Sequence, residues 1–348
     1  MPRISLILPV HNAASTIAEA LRSCCDQVVL GDLEIIVIDD ASNDRTSEIV
    51  AKMVGVDSRI KVVTLATHVG VARAFQRGYE ESHGALIARM DADDINRPQR
   101  FLKQAALLDS RPELSAVSCL VEIRKRDAVT GKAVLPPDGG YARFEAWLNA
   151  LIEPQDIASQ RFIDQPIVNP TMMMRRSVFE ACGGYRELDW AEDYDLWLRL
   201  LHEGHQLAKV PEVLFTWSDH PDRLTRNKAV YSQDQFLRCK AYYLSLLECV
   251  KASGVAIAGA GPIGKVLAMY LQECGVTVRQ FYEVHPRRVG EVIGEVPVCS
   301  IESWLPISKG VQPLVVLGAV GQPGKRALIR AQAMERGHVE GESFFAVA

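Results

Sequence analysis

Residues 84–100 read GALIARMDADDINRPQR, and the order of chemical types in them decides how the rest of the chain is read. Ala85 to Met90 is a β-prone run that passes without a break into Asp91-Ala92-Asp93-Asp94. Pro98 then opens a helix, with Asn96 placed to cap it. Side chains two apart on extended backbone share a face, so Asp91 and Asp93 present their carboxylates together at the strand's end. Paired hard oxygens suit Mg²⁺ or Mn²⁺, which bind through one or two carboxylates and complete their shells with a substrate's phosphates. So short a motif also arises as plain turn chemistry, and its context has to decide.

Working back from that stretch, Ile4 to Val10 is an unbroken apolar run, the mark of a strand buried on both faces. It stops at Pro9-Val10-His11-Asn12, before a helix that Ser15 is placed to cap. Glu34 to Ile38 repeats the pattern and ends in Asp39-Asp40-Ala41-Ser42, with Asp44 as the expected cap of a helix from Thr46. Ile60 to Leu65 predicts a third strand, and Val71 to Glu81 a helix with Val71, Ala74, Phe75, Gly78 and Tyr79 on one face. Strands alternating with helices at this spacing predict a mainly parallel sheet covered on both faces, with ligands beyond the carboxyl ends of the strands.

Working forward, a strand is expected over Leu114 to Ile123, a turn at Pro136 to Gly140 and a helix around Phe144 to Leu151. Met172 to Met174 reads as core. In Asp189-Trp190-Ala191-Glu192-Asp193-Tyr194-Asp195, the periodic Tyr194, Trp197, Leu198 and Leu201 predict a helix. Asp189 with Glu192 resembles a capping box, which places Asp193 in the first turn, where the helix dipole favours an ionised carboxylate. These acids also serve simply to start a helix.

Val230 to Val250 reads as a connecting helix. Strand Val255 to Ala258, the turn Gly259-Ala260-Gly261-Pro262-Ile263-Gly264, a helix to Cys274 and strand Val276 to Tyr282 follow, with Glu283 at the end. A strand, a G-x-G-x-x-G turn, a helix and an acid about twenty residues on have the order of a dinucleotide fingerprint, which marks Gly259, Gly261, Gly264 and Glu283 as candidate cofactor contacts. Such turns are also the tightest route from strand to helix, and no Tyr-x-x-x-Lys accompanies this one.

The 348 residues, 48% hydrophobic and 24% charged, are enough for two domains of a soluble protein. A net charge of −4 gives no drive toward nucleic acid or anionic membrane. The basic clusters Arg124-Lys125-Arg126 and Arg223, Arg226, Lys228 read as solvated surface. Eight cysteines without a C-x-x-C pair predict neither a disulfide framework nor a zinc site, and fit a reducing cytoplasm. The N-terminal apolar run is too short for a signal peptide, and no stretch reaches the length of a membrane span, so the chain is expected to be cytoplasmic and at most peripheral to a membrane.

With these pieces placed, residues 1 to about 225 resemble the family-two inverting glycosyltransferases. The segments that carry the resemblance are ISLILPVHNA, DLEIIVIDDASNDRT, HVGVARAFQRG, ALIARMDADDINRPQRFLKQ, NPTMMMRRSVFEACGGYRE and WAEDYDLWLRLLHEG, in the family's order. The resemblance implies an α/β chain with the GT-A nucleotide-diphospho-sugar transferase fold over residues 1–228, a connecting helix over 229–252 and a Rossmann-like domain over 253–348. It implies that Pro9, His11 and Asp40 line the nucleoside pocket with Asp39 beside them, that Asp91 and Asp93 hold Mg²⁺ or Mn²⁺ on the donor diphosphate, and that Asp193, next to Glu192, is the general base. Two places depart from the family's pattern: Asn169 stands where relatives often have His, and Trp217-Ser218-Asp219-His220 replaces an aromatic-Arg-x-His tail, in which His220 is the candidate contact to the diphosphate or metal. No Gln-x-x-Arg-Trp follows Asp193, which favours transfer of one sugar per event.

The expected partners are a nucleotide-sugar donor, UDP-linked or similar, and a saccharide or lipid-linked acceptor in surface polysaccharide or glycolipid synthesis. The C-terminal region resembles the small Rossmann-like modules attached to sugar-modifying enzymes. Two other functions compete: a dinucleotide-dependent oxidoreductase or epimerase acting through that region, and a nucleotide-sugar sensor without turnover. A sensor needs no base, and the chain keeps Asp91, Asp93 and Asp193 together.

Overall fold

The computed structural model describes residues 2–127, 133–136, 138–220, 223, 228–308 and 313–348. They divide into two compact units made of interleaved stretches: Met1–Pro154, Ile167–Leu188 and Glu203–Arg226 form the first, and Gln155–Pro166, Asp189–His202 and Asn227–Ala348 the second.

Among the described residues, the first unit contains one nine-stranded sheet. Its strands are β1 (Ile4–Val10), β2 (Leu33–Asp39), β3 (Ile60–Thr64), β4 (Leu86–Arg89), β5 (Ile95–Asn96), β6 (Leu114–Arg126), β7 (Ala133–Leu135), β8 (Met173–Arg175) and β9 (Gln206–Asp219). They lie in the order β3-β2-β1-β4-β8-β6-β9-β5, with β7 paired to β6. All seven residues of β1 and of β2 are buried, which is why both read as unbroken apolar runs. β3, β2, β1 and β4 are mutually parallel, β8 runs against both β4 and β6, and β9 runs parallel to β6. Two reversals restore the direction, so the carboxyl ends of β6 and β9 emerge at the same edge as those of β1, β2 and β4. That edge gathers His11, Asp40, Asp91, Arg126 and His220.

The helix Val71–Glu80 buries Ala74, Phe75 and Gly78 as its periodicity predicts. A Cβ on Gly78 would lie 2.5 Å from Ile7 Cγ2, so glycine lets this helix approach β1. Other local expectations are corrected. The first helix starts at Ile17 after Thr16, not at a Ser15 cap. Asn96 caps nothing: it sits in β5 opposite Phe215, and its side chain meets Cys24 and Arg100, while the helix Arg100–Ser110 begins after Gln99. Nor is Asp44 the cap of the helix Thr46–Val54: Arg45 holds that position, and Asp44, one residue earlier, accepts from the Thr46 and Ala14 amides and so ties the loop to the start of the helix.

In the second unit six strands form a smaller sheet: β10 (Val255–Ala258), β11 (Val278–Glu283), β12 (Val292–Ile293), β13 (Val296–Ser300), β14 (Val315–Gly318) and β15 (Phe344–Ala346), in the order β12-β13-β11-β10-β14-β15. Every pairing is parallel except β12 with β13. The expected connecting helix over 230–250 is two helices, Gln233–Ser245 and Glu248–Ser253, broken at Leu246-Leu247. The helix Glu192–His202 belongs to this unit, and Ala191, Tyr194 and Leu198 share its core with Leu237, Leu244 and Val255. Because that helix starts at Glu192, Asp189 stands outside it, largely exposed and nearest Arg238, and the predicted capping box does not form. All eight cysteines are free. No helix of the described residues is long and apolar enough to cross a membrane.

Candidate active site

At the β1 and β2 ends of the first unit the backbone is bent sharply. Asn12 and Ala41 hold φ of 51° and 56°, the left-handed region that non-glycine residues seldom occupy. His11 Nδ1 donates to Asp40 O at 2.7 Å, and its Nε2 accepts from Asn12 Nδ2 at 3.1 Å. The buried Asp40 carboxylate accepts from the Val69 and Gly70 amides at 2.7 and 2.9 Å and pairs with His68 Nδ1 at 2.9 Å. It thereby draws the loop after β3 to the edge and stacks His68 on His11, ring centroids 4.1 Å apart. Pro9 lies inside β1, paired with Ile38. Asp39 faces the other way, taking the Ser42 amide at 3.0 Å and the Ser47 hydroxyl. A cavity of about 400 Å³ opens beside it, lined by Asp39, Ser47, Ala51, Val54, Val62 and Thr64, and includes none of the other candidates.

The acids after β4 stand among cations. Arg89 is buried between the rings of Phe75 and Tyr185, each centroid 5.6 Å away, and donates through Nε and Nη2 to Asp91 Oδ1 at 3.1 Å each. Its Nη1 meets Tyr185 OH at 3.2 Å, which donates to Asn169 Oδ1 at 2.7 Å. His220 Nε2 lies 2.7 Å from Asp93 Oδ2. Arg126 donates to Asp93 O and approaches Ser218 Oγ at 3.3 Å. Arg223 lies over Trp217 at 4.0 Å and 3.8 Å from Asp219. Arg126 and Arg223 are therefore site residues rather than solvated surface; Arg226, and Pro137 of the predicted turn, lie outside the described residues.

Burial pushes the Asp91 carboxyl up, opposed by Arg89 and helped by Asp93. Burial also works to raise Asp93, but His220 and Arg223 outweigh it and hold that carboxyl low. Asp94 is pushed well above its ordinary value by burial, with Asp93 and Asp91 adding to it; its Oδ1 takes the Ser218 amide at 2.8 Å, and its buried Oδ2 has no hydrogen-bond partner among the described residues.

Among the described residues no group of three or more His, Cys, Asp or Glu side chains is gathered closely enough to hold an ion by itself. The expected centre at Asp91 and Asp93 is thus not a ready-made cage. The residues nevertheless fit Mg²⁺ or Mn²⁺ as a shared site. Two carboxylates of hard oxygen are too few to hold the ion without a substrate's phosphates. Asp94 is raised chiefly by burial, and the Asp93 and Asp91 charges beside it add to the push, charge that a cation would offset.

In the second unit three acids open the helix Glu192–His202, and their surroundings separate them. Glu192 is buried, with Oε2 taking the Tyr231 hydroxyl at 2.9 Å. Asp195 is buried between Tyr243 OH, Trp190 Nε1 and Arg199. Asp193 alone is half-buried, with Oδ1 taking the Tyr194 amide at 2.7 Å and Oδ2 the Gln165 amide nitrogen at 2.6 Å. Of the three it is the one open to a substrate.

The glycine turn of this unit is built for close packing. Gly259 holds φ of 114°, and a Cβ on Gly264 would lie 2.0 Å from Gly259 O, whereas one on Gly261 would meet nothing within 4 Å. Glu283 is already engaged, taking the Val284 and Ala260 amides at 2.9 and 3.4 Å and Arg288 at 3.4 Å.

Sequence reasoning did not find Arg89, His68, Gln165 or Tyr231. Arg89, one residue before the acid motif's methionine, carried the only local signal, a cation inside an otherwise apolar strand.

Residues 5–183 match the glycosyl transferase family 2 domain. The putative glycosyltransferase EpsE of Bacillus subtilis is 29% identical over 237 residues, 67% of this chain and 79% of that protein. Among solved structures, residues 1–349 of S. aureus TarS in complex with UDP-GlcNAc superimpose with a TM-score of 0.55 at 18% identity, over 77% of this chain and 71% of that one. The mannosyltransferase PcManGT of Pyrobaculum calidifontis, in complex with GDP-Man and Mn²⁺, gives 0.50 at 19% identity, over 79% and 73%. The first unit's mixed sheet, with its acids at one edge, is that of the GT-A glycosyltransferases, and the chain belongs to glycosyl transferase family 2.

Proposed function

We propose that this glycosyltransferase carries out inverting, metal-dependent transfer of a single sugar from a nucleotide-sugar, UDP-linked or similar, to an acceptor hydroxyl. The observation that carries the reading is the convergence of His11, Asp40, Asp91, Asp93 and His220 at one edge of the first unit's sheet. Nucleotide-sugars bound to TarS and PcManGT support the donor class, and Mn²⁺ in the latter supports the metal.

In this reading the loops holding His11, His68 and Asp40 receive the nucleoside, and the acids after β4 face its diphosphate. Asp91 and Asp93 would hold the metal together with the donor's phosphates, with His220 bonded to Asp93 beside them; when bound, the ion supplies charge compensation for the departing phosphate. The acceptor oxygen forms a bond to the anomeric carbon as the bond from that carbon to the phosphate oxygen breaks, and the nucleoside diphosphate leaves with the electron pair. Asp193 takes the acceptor's proton. The helix Glu192–His202 carries that base, and the glycine turn of Gly259 to Gly264 contributes no redox chemistry, since no proton donor accompanies it.

Melting temperatures with UDP-, GDP-, dTDP- and CMP-sugars, each in Mn²⁺ and in EDTA, test the reading. One nucleotide class should stabilise the protein in Mn²⁺ and lose that effect in EDTA; no stabilisation by any of them would overturn the proposal.

A further inference from the structure

The base assigned above is held by residues that no motif marks. Asp193 Oδ2 takes its hydrogen bond from Gln165 Nε2 at 2.6 Å, across 28 residues of chain. Gln165 lies in the stretch Gln155–Pro166, which is fastened independently at two other points. Tyr194 OH donates to Arg161 O at 2.7 Å, and Lys240 Nζ donates to Ile163 O at 2.9 Å and to Val347 O at 3.0 Å. Tyr194 is fully buried and stacked on Phe236 with centroids 5.0 Å apart, so the Tyr194 anchor is rigid.

A stretch already fastened by Tyr194 and Lys240 does not need the Gln165 amide as a staple. What that bond adds is control of one side-chain rotamer. A carboxylate at the start of a helix can turn about χ1 and χ2, and it can satisfy itself on the helix's own amides. Here Oδ1 is taken by the Tyr194 amide and Oδ2 by an amide that can only donate. The plane of the carboxylate is thereby fixed. Asp193 is half-buried in this position, so its carboxylate stays within reach of an incoming hydroxyl.

We propose that Gln165 is the positioning residue of the base: it sets the rotamer of Asp193 and presents its carboxylate to the acceptor hydroxyl, on a stretch anchored by Lys240 and Tyr194. The inference rests on the assignment of Asp193 as base. It concerns orientation during the chemical step and leaves donor binding untouched.

The test uses the full chain with UDP-GlcNAc and GDP-mannose as donors in Mn²⁺, water and octyl glycosides supplying the hydroxyl, and nucleoside diphosphate release as the readout. Gln165→Leu removes the donor at similar size, and Gln165→Glu replaces it with a repelling acceptor. Both should lower kcat on the order of 10- to 100-fold, the effect of a small misplacement of a reacting group. Donor KM and melting temperature should stay at the wild-type values. In an Asp193→Asn background Gln165→Leu should cost nothing further, because the two act as one unit. Wild-type kcat in Gln165→Leu, or a loss of kcat matched by a rise in KM and a lower melting temperature, overturns the proposal. Asp193→Asn separates the two levels. If it turns over normally, the base assignment falls and the inference with it; if it is inactive while Gln165→Leu is normal, the inference alone falls.

Discussion

His220 and Asp93, separated by 127 residues of sequence, meet at 2.7 Å between Nε2 and Oδ2. The contact exists because β9 runs parallel to β6 and delivers its carboxyl end to the edge where β4 leaves its acids. His220 holds Asp93 in its ionised form against the effect of burial. Replacing it with Ala should weaken Mn²⁺-supported donor binding by about 1.5–3 kcal/mol, the range for a hydrogen bond to a charged group. Calorimetry with and without EDTA would check this, and donor affinity equal to wild type under both conditions would remove His220 from the site.

Arg89 offers a different test, since its partner Asp91 is 31% exposed while Arg89 itself is 3% exposed. Arg89→Met removes the hydrogen bonds to the part-exposed Asp91 carboxylate and the planar cation between Phe75 and Tyr185, and should destabilise the fold by about 1.5–3 kcal/mol. Arg89→Lys keeps the charge but loses the planar group between Phe75 and Tyr185, so it should cost about 1–2 kcal/mol rather than nothing. Urea unfolding of the three proteins gives the comparison.

For Asp193 the expected pattern is loss of chemistry with retention of binding. Asp193→Asn keeps the shape and much of the capping capacity. Turnover should fall roughly 10²- to 10⁴-fold, the usual share of a general base. Donor affinity and melting temperature, measured on the same preparation, should hardly move.

The two glycines of the second unit's turn should behave oppositely. Gly264→Ala places a methyl 2.0 Å from Gly259 O, so backbone must move, at a cost of about 2–3 kcal/mol. Gly261→Ala meets open space and should change stability by less than about 0.5 kcal/mol. Thermal denaturation of the pair reads the difference directly. Consumption of NADH with any nucleotide-sugar, abolished by Gly261→Val, would replace the transferase reading by an oxidoreductase one.

A pH dependence follows from His338, buried in the second unit. Its Nε2 accepts from Trp304 Nε1 at 3.0 Å and its Nδ1 meets Ser343 O at 3.1 Å, so both contacts use the neutral ring. Burial pushes this histidine below its ordinary 6.5. The unfolded chain therefore binds the proton first as the medium acidifies. Above pH 6.5 the residue contributes no slope; as pH falls from 6.5 through the lower folded value, stability should decline by at most about 1.4 kcal/mol per pH unit. Melting curves between pH 8 and pH 5 should show this decline, and His338→Gln should flatten it.

Much of the first unit was legible in the chain because its signals are local. β1 declares itself by seven consecutive buried residues, and Asp91 and Asp93 by their spacing at a strand's end. What escaped depends on distant partners. β9 is a 14-residue strand hidden by Pro211, and its ladder with β6 steps from Cys119 opposite Val210 to Leu120 opposite Val213 to absorb that residue. Arg126 reads as one of three surface cations until β6 carries it to Asp93 O. The break between the helices Gln233–Ser245 and Glu248–Ser253 falls at two leucines, which carry no breaking signal. Gln165 lies in a stretch with no periodicity, and only the fold brings it to Asp193.

The interleaving of the two units, with passages at residues 154, 166, 188, 202 and 226, bears on how the chain is made. A ribosome delivers β9, the last strand of the first sheet, by residue 219, so that sheet can close early. The helix Glu192–His202 emerges before it, yet Tyr194 and Leu198 pack with Leu237, Val255, Leu317 and Phe345, which come much later. At about 5–20 residues per second its apolar face waits on the order of ten seconds for a core. Through that interval the nascent chain carries the strands of the first sheet complete and an apolar helix face with its later partners still unmade, so exposure of that face during synthesis is built into the order of the sequence.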